Sequence, residues 1–189
     1  GKISKKISPE VLYSRACIVA SGGTSHPETG STGDGFKWLN DLDHSIIPNS
    51  YSLVPITIAE TWIKKVSGLT IPDVKLSLYS DTKKHSIAQG KILFTHTGLS
   101  GPTILNMSKT IGDLLSYSAV ELHLDLFPHM DHGQLDAYVL SLLTQDSNKM
   151  IKNSLHVLIP KALIPIFLSM TNIEGETQNN SLQKDKRKA

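Results

Sequence analysis

A chain of 189 residues, 39% of them hydrophobic, holds enough apolar material for one medium domain or two small ones, which excludes a disordered polypeptide. Its 19 Lys and Arg against 17 Asp and Glu leave a formal charge of +2, too little for a field that would recruit nucleic acid or anionic lipid. No nucleic acid and no membrane is expected as a partner; composition says nothing about oligomeric state.

Cys17 is the single cysteine, so no internal disulfide can form, and its place in the apolar run Cys17, Ile18, Val19, Ala20 fits a buried thiol in a reducing cytoplasm. The basic N-terminus is not followed by an apolar segment, and Pro160, Lys161 and Pro165 interrupt the most apolar stretch. With Gly1 first and a polar Lys-Arg-Lys-Ala string last, both ends read as cut.

In chain order, residues 16–20 have the pattern of a buried strand closing at Ser21, Gly22 and Gly23. A loop rich in Gly, Ser, Thr and Pro follows. Phe36, Leu39 and Leu42 then recur at helical spacing, with Asp34 as the natural N-cap. Residues 46–58 leave room for one or two strands. Val74, Leu76 and Leu78 alternate with Lys75, Ser77 and Tyr79, predicting a half-buried strand, and residues 81–84 form a polar turn. A strand over 91–95 meets a glycine turn, and Pro102 opens a helix reaching Ile111. Val120, Leu122, Leu124 and Leu126 mark another strand, closed by Pro128.

Beyond Pro128 the period becomes helical. Asp131 with Gln134 reads as a capping box before Leu135, Tyr138, Val139, Leu142 and Leu143, and two short helices follow over 150–158 and 160–170. Residues 174–189 carry one large apolar side chain beyond the start of the segment, Leu182, and read as a disordered tail or linker.

The segment from Ser21, Gly22 and Gly23 through Gly30, Ser31, Thr32, Gly33, Asp34 and Gly35 is the strongest chemical signal. Glycines admit close approach of a ligand to backbone, and a helix start offers free N–H groups to an anion; a plain strand-to-helix connection would use the same residues. The run from Val19 to Pro27 and on from Thr29 to Phe36 resembles the ATGG-x-SYP-x-TGSTGDGY signature of the aminoacetone-oxidase-like family of bacterial FAD flavoproteins. Lys91 to Pro102, read KILFTHTGLSGP, is similar to that family's E-x-LFTHxGxSGP segment at the same order and spacing.

The resemblance implies an α+β chain: a fragment of an α/β FAD-binding domain over 1–50, a small split β-barrel insert over 51–128, a helical subdomain over 129–173, and the tail over 174–189. It implies FAD as cofactor and, as the intact protein, an oxidoreductase acting on a small-molecule substrate. Gly22, Gly23, Thr32, Gly33 and Asp34 would contact that cofactor. Ser21, His26 and Phe36 depart from the family's Thr, Tyr and Tyr, which removes two phenolic hydrogen-bonding groups. No G-x-G-x-x-G run occurs, so the chain alone is expected to bind FAD poorly.

Other constellations are weighed beside it. Ser100 sits on a strand-to-helix turn, but Pro102 replaces the last glycine of a nucleophile elbow, so a helix cap is the better reading. His96 is a weak candidate for acid–base catalysis near a flavin, the catalytic residues being otherwise unknown. His123, Asp125, His129 and His132 crowd ten residues with potential metal ligands, yet a solvated surface is expected and no metal is assigned. Lys184, Lys186, Arg187 and Lys188 lack interleaved aromatics. The competing class for the whole is a non-catalytic docking module derived from a flavoprotein.

Overall fold

The computed structural model describes residues 11–47, 52–182 and 185, and divides the chain into two compact units, Gly1–Asn49 and Ser50–Ala189. In the second unit five antiparallel strands form one curled sheet in the order β1-β4-β3-β2-β5. These are β1 (Ile56–Thr57), β2 (Thr70–Ser80), β3 (Lys83–Phe94), β4 (Gly98–Ser100) and β5 (Val120–Asp125). Helices α2 (Pro102–Leu115), α3 (His132–Gln145), α4 (Ile151–Ser154) and α5 (Ile164–Met170) complete the unit, so its class is α+β.

The alternation in β2 works as its sequence requires. Val74, Leu76 and Leu78 are fully buried in the core, and their strand pairs with β3 on one edge and β5 on the other. Register shifts between Ile71 and Val74 and between Leu78 and Tyr79 bend the β2–β3 ribbon. Gly90 sits opposite the first shift at φ 146°, and a Cβ there would meet the Thr103 hydroxyl at 2.8 Å, so the close approach of α2 to β3 requires glycine.

Strand β3 begins eight residues earlier than the periodicity indicates. Its first half, from Lys83, is polar and exposed, and it is held by main-chain pairing with β2 across a two-residue turn at Asp81 and Thr82, both at positive φ. A single hydrophobic cluster joins Phe94, Ile92 and Leu99 of the sheet, Ile104 and Ile111 of α2, and Leu143, Ile151 and Ile166 of the helices.

The capping box of α3 is complete: the Gln134 N–H donates to the Asp131 carboxylate at 2.8 Å, and the Asp131 N–H donates to the Gln134 side chain at 2.9 Å. The stretch read as a disordered tail differs for its first half. Asn179 is buried, donating from Nδ2 to the Asp146 carbonyl and to Ser154 Oγ, both at 2.8 Å, and Gln178 bridges Met150. Hydrogen bonds from Asn179, with one apolar contact from the partly buried Leu182, hold 174–182, which is why hydropathy misses it. The basic run Lys184, Lys186, Arg187 and Lys188 lies outside the described residues.

In the first unit the run 16–20 is not a buried strand. Ile18 is 91% exposed and Cys17 is exposed, because no neighbouring strand among the described residues pairs with this apolar segment. Helix α1 (Asp34–Asp41) follows the glycine loop as expected, but its N-cap is Gly33 at φ 79° and Asp34 is its first residue.

Candidate functional site

The glycine loop folds back on itself. After Ser21, Gly22 turns the chain at φ 78°, and a short 3-10 turn at Pro27–Thr29 ends at Gly30 at φ 101°. The His26 carbonyl accepts from the Thr29 N–H at 3.0 Å and from the Thr29 hydroxyl at 2.9 Å, closing that turn.

The two glycine clusters then meet. A Cβ on Gly22 would lie 3.2 Å from Ser31 Oγ, and one on Gly33 would lie 2.8 Å from the Thr24 methyl. A Cβ on Gly35 would collide with Ser21 Oγ. Gly33 and Gly35 are thus glycines because the returning chain occupies their side-chain space, while Gly23 and Gly30 face open space.

Thr32 and Asp34 are exposed on this turn, and the Thr32 hydroxyl donates to the Asp34 carboxylate at 2.7 Å. No side chain caps α1. A carboxylate in the first turn already satisfies the positive end of the helix dipole, which disfavours a phosphate at the same place. It leaves an acceptor suited to hydroxyl or N–H donors. Such an acceptor fits the hydroxyls of the ribityl chain or a ring N–H of a flavin nucleotide better than its diphosphate.

The remaining candidates scatter. His96 is exposed in the turn joining β3 to β4, where the Thr95 N–H donates to the Gly98 carbonyl at 2.8 Å. Ser100 belongs to β4 and pairs with Leu93; Gly101, not Ser100, precedes α2, and no side chain caps that helix. The expected serine cap is absent because the chain enters the helix through Gly101 at φ 99° and Pro102.

His123, Asp125 and His129 have separate partners. His123 lies 3.2 Å from Glu121 and stacks on Tyr79 at 4.5 Å, Asp125 pairs with Lys75 at 3.1 Å, and His129 donates to Asp73 at 2.7 Å. Hydrogen bonds from Gln89 and then from His129 hold the Asp73 carboxyl below its ordinary value. Among the described residues no group of three or more His, Cys, Asp or Glu is placed to hold a metal ion, and no helix is long and apolar enough to cross a membrane.

One site escaped the sequence reading. A cleft of about 650 Å³ in the helical part is lined by Lys149, Lys152, His156 and Lys161 over an apolar floor of Ile164 and Pro165. Its signal was present in the sequence: from 147 to 173 the chain has those three lysines and no carboxylate. A near-zero overall charge conceals such a cluster.

A curled antiparallel sheet running into short helices, with two long motif segments of flavoprotein type, defines a domain of a flavoprotein family. Residues 51–189 match the family described as HI0933-like protein barrel and H2TH domain, and the chain belongs to that family.

Among its relatives, a ribosomal RNA dihydrouridine synthase of Haemophilus influenzae (strain ATCC 51907 / DSM 11121 / KW20 / Rd) is 28% identical over 165 residues, 86% of this chain and 38% of that protein. A ribosomal RNA dihydrouridine synthase of Escherichia coli (strain K12) is 27% identical over 152 residues, 78% of this chain and 34% of that protein. A 3-dehydro-bile acid delta(4,6)-reductase of Clostridium scindens (strain ATCC 35704 / DSM 5676 / VPI 13733 / 19) is 24% identical over 157 residues, 82% of this chain and 38% of that protein. The chain spans little more than a third of the length of these curated relatives, and none of the three is named an aminoacetone oxidase.

Proposed function

We propose that the intact protein is an FAD-dependent reductase that adds two hydrogens across a carbon–carbon double bond conjugated to a carbonyl, with uridine in RNA as its substrate. The observation that carries the reading is the turn from Gly30 to Gly35, where two left-handed glycines present an exposed Thr32–Asp34 pair at an uncapped helix start. Gly22, Gly23, Thr32, Gly33 and Asp34 would hold the flavin, Asp34 accepting from a hydroxyl or ring N–H and the glycines admitting close backbone approach.

Bound FAD, once reduced by an external two-electron donor such as a reduced nicotinamide, would supply the hydride and return to its oxidised form. The residues of this chain orient the cofactor and exclude water, and His96 is the candidate for the proton that the second carbon receives, since an imidazole exchanges protons near neutral pH. The reaction class rests on the relatives' names: making dihydrouridine and reducing a delta(4,6) steroid ketone both saturate a double bond in conjugation with a carbonyl. Two of the three names specify RNA.

The test uses the full-length gene product, purified, bleached with dithionite without oxygen, then mixed with a uridine-containing RNA or a simple conjugated enone. Return of the yellow colour with either compound, matched by saturated product, is the expected result. A colourless preparation after FAD addition would leave only the docking-module reading. Oxidised enzyme bleached by a small amine, with no reoxidation by enone or RNA, would instead favour the amine oxidation implied by the sequence resemblance. Replacing His96 with Asn should lower turnover by about 100-fold while leaving flavin content unchanged.

A further inference from the structure

We infer that the cationic cleft of the helical part is a docking site for the phosphodiester backbone of RNA. The inference rests on the reductase reading for the identity of the polyanion, and on the cleft itself for the place. Lys152 and His156 are four residues apart across the continuous turns of α4 and residues Leu155–Val157, so they share a face. Lys149 precedes that face, and Lys161 approaches from the turn leading into α5.

Three cationic side chains around one open cleft exceed what a single small anion needs, whereas successive phosphates of a strand can engage them one each. Asn153 adds an amide able to donate to phosphate or sugar oxygens, and Ile164 and Pro165 give an apolar floor against which a ribose or base can rest.

The neighbouring carboxylates do not cancel the site. Lys149 pairs with Asp146 at 2.7 Å and Lys152 pairs with Glu176, but all four side chains are substantially exposed, and such pairs are weak enough to be exchanged for phosphate. Lys161 has no ion pair among the described residues. With Asp146 and Glu176 counted against the three lysines the local formal charge is +1, carried by Lys161, and it rises to +3 only as phosphate displaces the two carboxylates.

The experiment is fluorescence anisotropy of a short fluorescein-labelled single-stranded RNA titrated with the full chain over a salt series. Substituting Lys149→Glu, Lys152→Glu and Lys161→Glu together should weaken binding by at least about tenfold and flatten the log–log salt slope by about two, from three contacts at about 0.7 each. Lys161→Ala alone, at an exposed position, should flatten it by about 0.7 with an unchanged melting curve, which separates lost contact from lost folding. Lys83→Glu with Lys84→Glu, on the β2–β3 hairpin, should leave binding as it was.

Equal binding by the triple variant, or equal loss from the hairpin pair, overturns the assignment. So does displacement of RNA by inorganic phosphate at an ionic strength where chloride has no effect, which would make this a small-anion site. Lysine-dependent binding to phosphatidylglycerol vesicles without RNA binding would make it a membrane contact and likewise overturn it. RNA binding requires no flavin. Lost lysine dependence with intact reduction of an enone therefore removes the cleft assignment alone, and a colourless gene product with lysine-dependent RNA binding removes the reductase reading alone.

Discussion

In residues 52–182 the side chains that fix the shape are buried: Phe94, Leu76, Leu78, Ile92 and Ile104 sit together under the sheet with α2 against them. In residues 11–47 none of the core side chains occurs, while Leu12, Tyr13, Ile18 and Ile47 are each at least 80% exposed. There the chain is shaped by what glycine permits, as Gly33 and Gly35 make room for Thr24 and Ser21. A region built on apolar burial holds its form through many redundant contacts. A region built on a few backbone positions fails or survives at single residues, and it is the one that carries the glycine-rich motif.

Truncating one large side chain in each region separates the two most strongly. Phe94→Ala removes a ring with only 2% exposure and should cost about 3–5 kcal/mol in denaturant unfolding. Ile18→Ala, at 91% exposure, should leave the same transition unmoved. Equal losses would show that the first region has a core of its own.

A smaller effect is expected at the start of α3. Asp131→Ala opens the capping box and should cost about 1 kcal/mol in the same assay, with Asp131→Asn recovering most of it. A loss as large as that of Phe94→Ala would mean that the box anchors more than its helix.

The smallest effect belongs to pH. Gln89 and His129 hold the folded Asp73 carboxyl below the ordinary value of 3.8, so the unfolded chain takes up a proton first as acid is added. Asp73's contribution is therefore full above that ordinary value and disappears as pH falls through its lower folded value. Asp73→Asn should flatten that acidic limb slightly, since the carboxylate is exposed, and should not change its sign.

Particular residues show what could be read in advance. The capping box and the alternation of β2 and β5 were legible because each depends on spacing within a few residues. The first half of β3 was not, because Lys83, Lys84 and Gln89 gain their strand geometry from pairing with β2, which hydropathy does not record. Residues 16–20 were misread for the converse reason: Ile18 and Val19 have a strand's composition, but composition names no pairing partner. Asn179 illustrates a third limit, since a buried amide that ties 174–182 to Asp146 and Ser154 has the composition of a linker. The glycines of 22–35 and Asp34 stand out as a motif in the sequence, whereas Lys149, Lys152 and Lys161 show only as a stretch without carboxylates until the folded chain brings them around one cleft.

The place of Asp34 relative to bound FAD decides whether the glycine turn is a cofactor loop. A crystal structure of the full-length gene product saturated with FAD should place the Asp34 carboxylate within hydrogen-bond distance of a ribityl hydroxyl or ring N–H, with Gly22 and Gly33 against the nucleotide. Finding the nucleotide bound elsewhere, with the turn from Gly30 to Gly35 facing solvent, would contradict it.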